Sequence, residues 1–350
     1  MNLPLRRASI ALLVAASASA RPHKAPSPTA VTPKALTTHF VALPGSPGRV
    51  GMDYLAFDPA TRKLWVPAGN TGRVNVLDTV SGALVGVSGF PTREIERGGQ
   101  KRSLGPSSAA VGDGVVYVGN RADSKVCAID AASLKVGGCI AIASSPDGLA
   151  FVKREKELWI TTPRDRSLTV LDANERETLK SKAEVHLEGE PEGYAVDQAR
   201  GIFYTNIEDQ DRTLAIDTAT KKILATWKPG CGTAGPRGLA LDGAHRFLFV
   251  ACTDHVVTLD AGHEGAILGS VATGGGVDNI DYAPAQSLLF AAAGKTGTLT
   301  VARVDERGGL TAIAGALTKE GARVVVVDDQ ARAYVADSAG GRLVVVDAVP

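Results

Sequence analysis

The sequence predicts an all-β chain folded as a seven-bladed β-propeller of four-stranded antiparallel blades. Two regularities and one shortfall predict it. A large side chain inside a β-branched or apolar run recurs at Trp65, Tyr117, Trp159, Tyr204, Phe249, Phe290 and Tyr334, in steps of 52, 42, 45, 45, 41 and 44. An Asp closes the following run at Asp78, Asp130, Asp172, Asp217, Asp260, Asp305 and Asp347, in steps of 52, 42, 45, 43, 45 and 42. A period near 44 is that of a four-stranded propeller blade. One blade buries only part of its apolar surface, so neighbours must stack and the ring must close. The shortfall is that the seventh unit contains three strands, and a lone strand precedes the first unit.

The stretch 115–139, VVYVGNRADSKVCAIDAASLKVGGC, shows the unit most plainly. VVYV is a strand, GNRADS a turn, KVCAID a strand closed by Asp130, AASL a turn and KVGGC the return. The units run over 51–89, 107–144, 147–189, 192–228, 237–272, 278–316 and 323–347. HFVALPG at 39–45 is the orphan strand, expected to complete unit seven from the other end of the chain and so remove an open sheet edge.

Helix-period segments are missing, and 39 glycines suit a turn-rich chain. Residues 1–20 read as a secretory signal: Arg6 and Arg7, the apolar IALLVAASASA, and a cleavage site at Ala18-Ser19-Ala20. A retained anchor is the weaker reading, because the apolar run is short for a bilayer. Residues 21–38 hold four prolines and read as an extended, disordered linker. The propeller then occupies 39–350. A periplasmic or secreted protein without stable membrane insertion is expected. The net charge is +1 and becomes −1 without Arg6 and Arg7, so nothing points to nucleic acid.

YVGNRADSKVCAID (117–130), FYTNIEDQDRTLAID (203–217) and AYVADSAGGRLVVVD (333–347) resemble the YVTN-type β-propeller repeat. There a strand Y-V-x-N is followed by a turn and V-x-x-I-D. The likeness covers about 39–350. It implies the fold and an extracytoplasmic setting. It implies no particular activity, since the architecture is shared with lactonases, haem-bearing domains and scaffolds.

The strand-closing Asp residues fall one per blade, too far apart to share a metal, and read as Asx-type turn acceptors. The four cysteines form two expected disulfides. With a turn at 131–134, Cys127 faces Cys139 on the next strand. Cys231, entering unit five, and Cys252, ending its second strand, lie on one face. Two disulfides suit an oxidising compartment; buried thiols are the alternative. The six histidines make no metal or haem motif, and there is no GxSxG, phosphate loop or EF-hand.

Candidate site residues come from the inner-strand starts, which ring the mouth of a propeller's channel. Asp53, Tyr54, Asp147, Glu192, Arg237, Asp278, Asn279 and Arg323 are polar where core packing does not require it. A second group comes from the insertion FPTREIERGGQKRSLG at 90–105, read as a charged loop on the mouth side. Its Arg93, Arg97, Lys101 and Arg102 are expected to overhang the mouth and meet an anionic group. The alternatives are a solvated channel and a solvated loop. The sequence thus reads as an exported monomer that binds a small ligand or envelope protein at the mouth, with no catalytic residue, cofactor or metal. A gluconolactonase-type hydrolase is a second reading, with Asp53, Asp147, Glu192, Asp278 and Asn279 holding Ca or Mg in the channel. An envelope scaffold is a third.

Overall fold

The computed structural model describes residues 34–46 and 48–348. Seven four-stranded antiparallel units follow one another in chain order. Blade one is Ala56–Asp58, Lys63–Ala68, Arg73–Asp78 and Leu84–Ser88, from the innermost strand outward. Blade two is Pro106–Gly112, Val115–Asn120, Lys125–Asp130 and Val136–Ala141. Blades three to six repeat this order. The expected signal segment and most of the proline-rich linker lie outside the described residues.

Second strands carry nearly unbroken apolar runs because a neighbouring blade covers each of their faces. Val115–Asn120, Glu157–Thr162 and Leu288–Ala293 are buried at every position. All seven repeated aromatics are at most 2% exposed. Outermost strands meet solvent instead, and Val136–Ala141 has no buried position. Every neighbouring pair of blades shares a buried apolar cluster, and one of these joins blade seven to blade one through Tyr334, Leu343, Leu64 and Val66. The ring is closed.

Closure uses the orphan strand. Thr38–Ala42 pairs antiparallel with Arg342–Val346, His39 opposite Val345, and becomes the outer strand of blade seven. Ordered structure begins before residue 39. Lys34–Ala35 adds a parallel fifth strand to blade six, opposite Ala314 and Gly315, and the Leu36 N–H donates to the Gly315 carbonyl at 2.8 Å. The end of the proline-rich stretch is therefore sheet, not free linker.

The strand-closing Asp residues are turn acceptors. Asp78 takes the Val80 and Ser81 N–H groups at 3.0 and 2.8 Å, and Asp217 takes that of Thr220 at 2.6 Å. In blade seven the next strand comes from the other end of the chain. There Asp347 accepts the Thr37 hydroxyl at 2.6 Å.

Residues 90–105 are not an open loop. Arg93–Arg97 and Gln100–Leu104 form a two-stranded antiparallel hairpin. Gly98 and Gly99 have φ of 61° and 72°, the left-handed values that a two-residue hairpin turn requires at both positions. Both expected disulfides are present. Cys127 and Cys139 are direct cross-strand partners, and Cys231 bonds to Cys252.

Candidate functional site

Inner strands begin, and second strands end, on the same face of an antiparallel blade. That face is the mouth. Three inner strands begin with a charged residue followed by glycine: Asp147-Gly148, Glu192-Gly193 and Arg237-Gly238. A Cβ at Gly148 would enter the Tyr194 ring, and one at Gly193 would strike the Arg237 carbonyl. The glycines let adjacent inner strands close in, and the charged residue before each stands at the mouth.

Below this charged level, Tyr54 of blade one meets Tyr194 of blade four across the channel, ring centroids 5.4 Å apart. The two rings floor the mouth. Tyr54 is 7% exposed. Burial first, and the nearby carboxylates of Glu192 and Asp147 second, hold its hydroxyl well above the usual phenol range.

Above the tyrosines the charges form cross-blade pairs. Arg121 donates to Asp53 of blade one at 2.7 Å and to Asp147 of blade three, so one guanidinium ties blades one, two and three. Arg323 Nε lies 3.2 Å from Asp278, joining blades seven and six. Arg237 donates to Glu208, joining blades five and four. Burial opposes the charge on Arg121, but Asp147 and Asp53 outweigh it and keep it protonated.

Burial raises Asp147 to about 6 against the pull of Arg121, and raises Asp278 to about 6 against that of Arg323. Glu192 is raised well above the carboxylate range, by burial and then by Asp147, Asp278, Glu208 and Asp53. Arg121 and Arg323 attract it only through space, and among the described residues it makes no ion pair. In this cluster five carboxylates face three guanidiniums.

Of the residues expected at the mouth, Asp53, Tyr54, Asp147, Glu192, Arg237, Asp278 and Arg323 are brought together there. Asn279 is not a free ligand group at that level. Its Oδ1 accepts the Ile280 N–H at 2.9 Å, and its own N–H donates to the Arg323 carbonyl at 3.1 Å. Arg121 and Glu208 were missed because they follow second strands, in turns that share the mouth with the inner-strand starts. Their signal is position: each is the first residue after the strands Val115–Asn120 and Ile202–Ile207.

Arg237 and Arg323, expected as part of a charged mouth, stand there in ion pairs. Both are held by carboxylates, and the cluster has an excess of acid. The acids proposed for a metal are likewise committed: Asp53 and Asp147 to Arg121, and Asp278 to Arg323. Among the described residues no group of three or more His, Cys, Asp or Glu side chains is placed to hold a metal ion.

The hairpin stands on the same face, between blades one and two. At its base Asn120 Nδ2 donates to the Pro91 carbonyl at 3.1 Å, and the Arg121 N–H to the Gly105 carbonyl at 3.0 Å. The side chains of Arg93, Lys101 and Arg102 are exposed. Arg97 sits at the turn end of its strand, paired in register with Gln100. The ion pairs of the mouth carboxylates Asp53, Asp147, Glu208 and Asp278 run to Arg121, Arg237 and Arg323.

No helix among the described residues is long and apolar enough to cross a membrane. No protein-family model matches the chain, and no curated protein does. Solved structures do match in fold. A chain of the "Crystal Structure of Mitotic Checkpoint Complex" is 13% identical with a TM-score of 0.73, over 97% of this chain and 99% of that one. "Kuenenia stuttgartiensis Hydrazine Synthase" is 13% identical with a TM-score of 0.70, over 88% and 99%. "Structure of U3-55K" is 12% identical with a TM-score of 0.70, over 90% and 99%. At these identities the likeness is one of architecture: the chain is a seven-bladed β-propeller.

Proposed function

We propose that this protein is an exported propeller of the YVTN type that binds a partner protein or small ligand at its mouth face and makes or breaks no bond itself. The observation that carries the reading is the charged cluster above the Tyr54–Tyr194 floor. Eight charged or titratable side chains from all seven blades, five carboxylates and three guanidiniums, converge there, and Glu192 is left without an ion-pair partner. Core packing does not call for such a group, because desolvating carboxylates is costly unless they are paired. The excess of acid favours a ligand or partner segment that presents a cation. The exposed hairpin beside it adds contact area for a partner protein. Export is supported by the two disulfides together with the signal-like pattern of residues 1–20.

A cation seated at Glu192 would ionise it and expel its proton. Affinity is therefore expected to rise as pH rises toward the raised pKa of Glu192 and to level off above it. Glu192→Gln should remove that dependence and weaken binding roughly tenfold, the loss of one charge-assisted contact. Calorimetric titration with Lys-containing peptides checks this. Unchanged affinity in the Gln variant would count against the mouth as the site.

A further inference from the structure

The tyrosine floor has a second side. Beneath it the inner strands enclose a cavity of about 640 Å³ that reaches the opposite face, at the turns between first and second strands. Its lining includes Leu55, Phe57, Val196, Leu239, Val325 and Val327. Phe57 and Val196 stay half-exposed in an otherwise buried setting, because they border this space and no neighbouring side chain fills it. The volume lies in the range of pockets that hold small organic molecules, roughly 300–1,000 Å³.

One acid stands in this wall away from the turn-face rim. Asp281 of blade six accepts the Val327 N–H of blade seven at 2.8 Å and the Tyr282 N–H at 2.8 Å. Each oxygen takes one backbone donor, so each retains a lone pair. Among the described residues no cation is placed against it. Burial raises it to about 6, and only the two backbone N–H groups act to lower it. An Asx-type turn does not account for it either, since it lies within the strand Val277–Ala283.

From this we infer a second binding site, separate from the mouth: the lower channel takes an apolar or aromatic small molecule carrying an ammonium group, with the apolar body among the inner strands and the ammonium donating to Asp281. Three observations point to this class together. The wall is mostly apolar, the floor is aromatic, with ring faces that attract cations, and Asp281 has acceptor capacity but no counter-charge. An anionic ligand would oppose Asp281, and a wholly apolar one would leave the carboxylate buried without compensation.

The test uses the intact protein with 4-phenylbutylammonium and its neutral counterpart 4-phenylbutanol as probes, measured by calorimetry. The ammonium should bind roughly tenfold or more tightly than the alcohol, the least expected of a hydrogen bond to a charged group. In Asp281→Asn that ratio should fall to near one. In Val196→Trp, which fills the lumen from blade four and leaves Asp281 in place, both probes should lose binding while the melting temperature is maintained. Glu192→Gln at the mouth should leave both affinities unchanged, which separates this site from the one above. A ratio near one in the parent, a preserved ratio in Asp281→Asn, retained binding in Val196→Trp, or no binding of either probe to its solubility limit would each overturn the inference. If Asp281→Asn does not fold, the parent ratio and Val196→Trp decide.

Discussion

Arg121 is the residue on which the mouth depends most. It is the only guanidinium in the cluster shared by two acids, and both are more than four-fifths covered. Arg121→Met keeps the stem and removes the charge, leaving Asp53 and Asp147 to repel each other. Removing one partner of a fully buried pair costs about 3–5 kcal/mol. Water at this mouth screens part of that, so a loss of about 1–3 kcal/mol is expected by urea denaturation. Adding Asp147→Asn should recover part of it.

The pH dependence follows from the same acids. Asp147, Asp278 and Asp281 are raised to about 6 in the folded state, above their unfolded value of about 3.9. Between those values the folded protein binds more protons than the unfolded one, so these groups add stability as pH falls from about 7 toward 4. Asp78, Asp130, Asp172, Asp217 and Asp260 are lowered. Their contribution is present above the unfolded value and is lost as pH falls through the lowered folded one. The melting temperature should therefore peak in mildly acid solution, near pH 5, and a scan against pH checks it. A peak above neutrality would show that the acids are not raised.

At this scale the sequence was legible where the chemistry was local. The turn role of the strand-closing Asp residues needed only their neighbours two and three positions on. The mouth was half legible, because its inner-strand starts could be aligned by the repeat. Arg121 and Glu208 could not be, since a partnership such as Arg121 with Asp53 spans 68 residues and depends on how strand ends converge in the closed ring.

At the scale of elements, the hairpin and the disulfides differ in what they support. The hairpin's two strands pair with each other and with no blade. Replacing 93–104 by a short glycine linker should leave the melting temperature within a few degrees of the parent while weakening partner capture. A collapse of the fold would show that the arm is structural. The two disulfides link residues 12 and 21 apart, and each is expected to contribute about 2–4 kcal/mol. Thiol titration of the denatured, unreduced protein should find none free.

Both pairings were legible because strand register places Cys127 opposite Cys139 and topology places Cys231 beside Cys252. The hairpin was not read as strands, although R-E-I-E-R, G-G, Q-K-R-S-L carries the signal. Its alternation is charged on both faces and lacks the apolar stripe that marks a half-buried strand.

At the scale of the whole molecule, stability and function both rest on closure. Removing 34–46 strips blade seven of its outer strand and blade six of its parallel addition. A large fall in melting temperature with aggregation is expected. Removing only 34–36 should be mild, because blade seven keeps its fourth strand. Closure was legible from counting strands, since a three-strand last unit and an orphan first strand have one economical solution. The lower cavity was not. Each inner strand reads simply as a short apolar run, and the space among seven of them exists only once the ring is formed.

The central claim is that the mouth face is where this propeller meets its partner. A photo-crosslinking residue placed at Lys101 on the hairpin, at Arg323 on the mouth, or at Ile267 on the exposed outer strand of blade five tests it in the host cell. The account predicts specific adducts from positions 101 and 323, diminished when Glu192 is changed to Gln, and none from 267. Adducts from 267 alone, unaffected by Glu192→Gln, would contradict it and place the interaction on the outer rim.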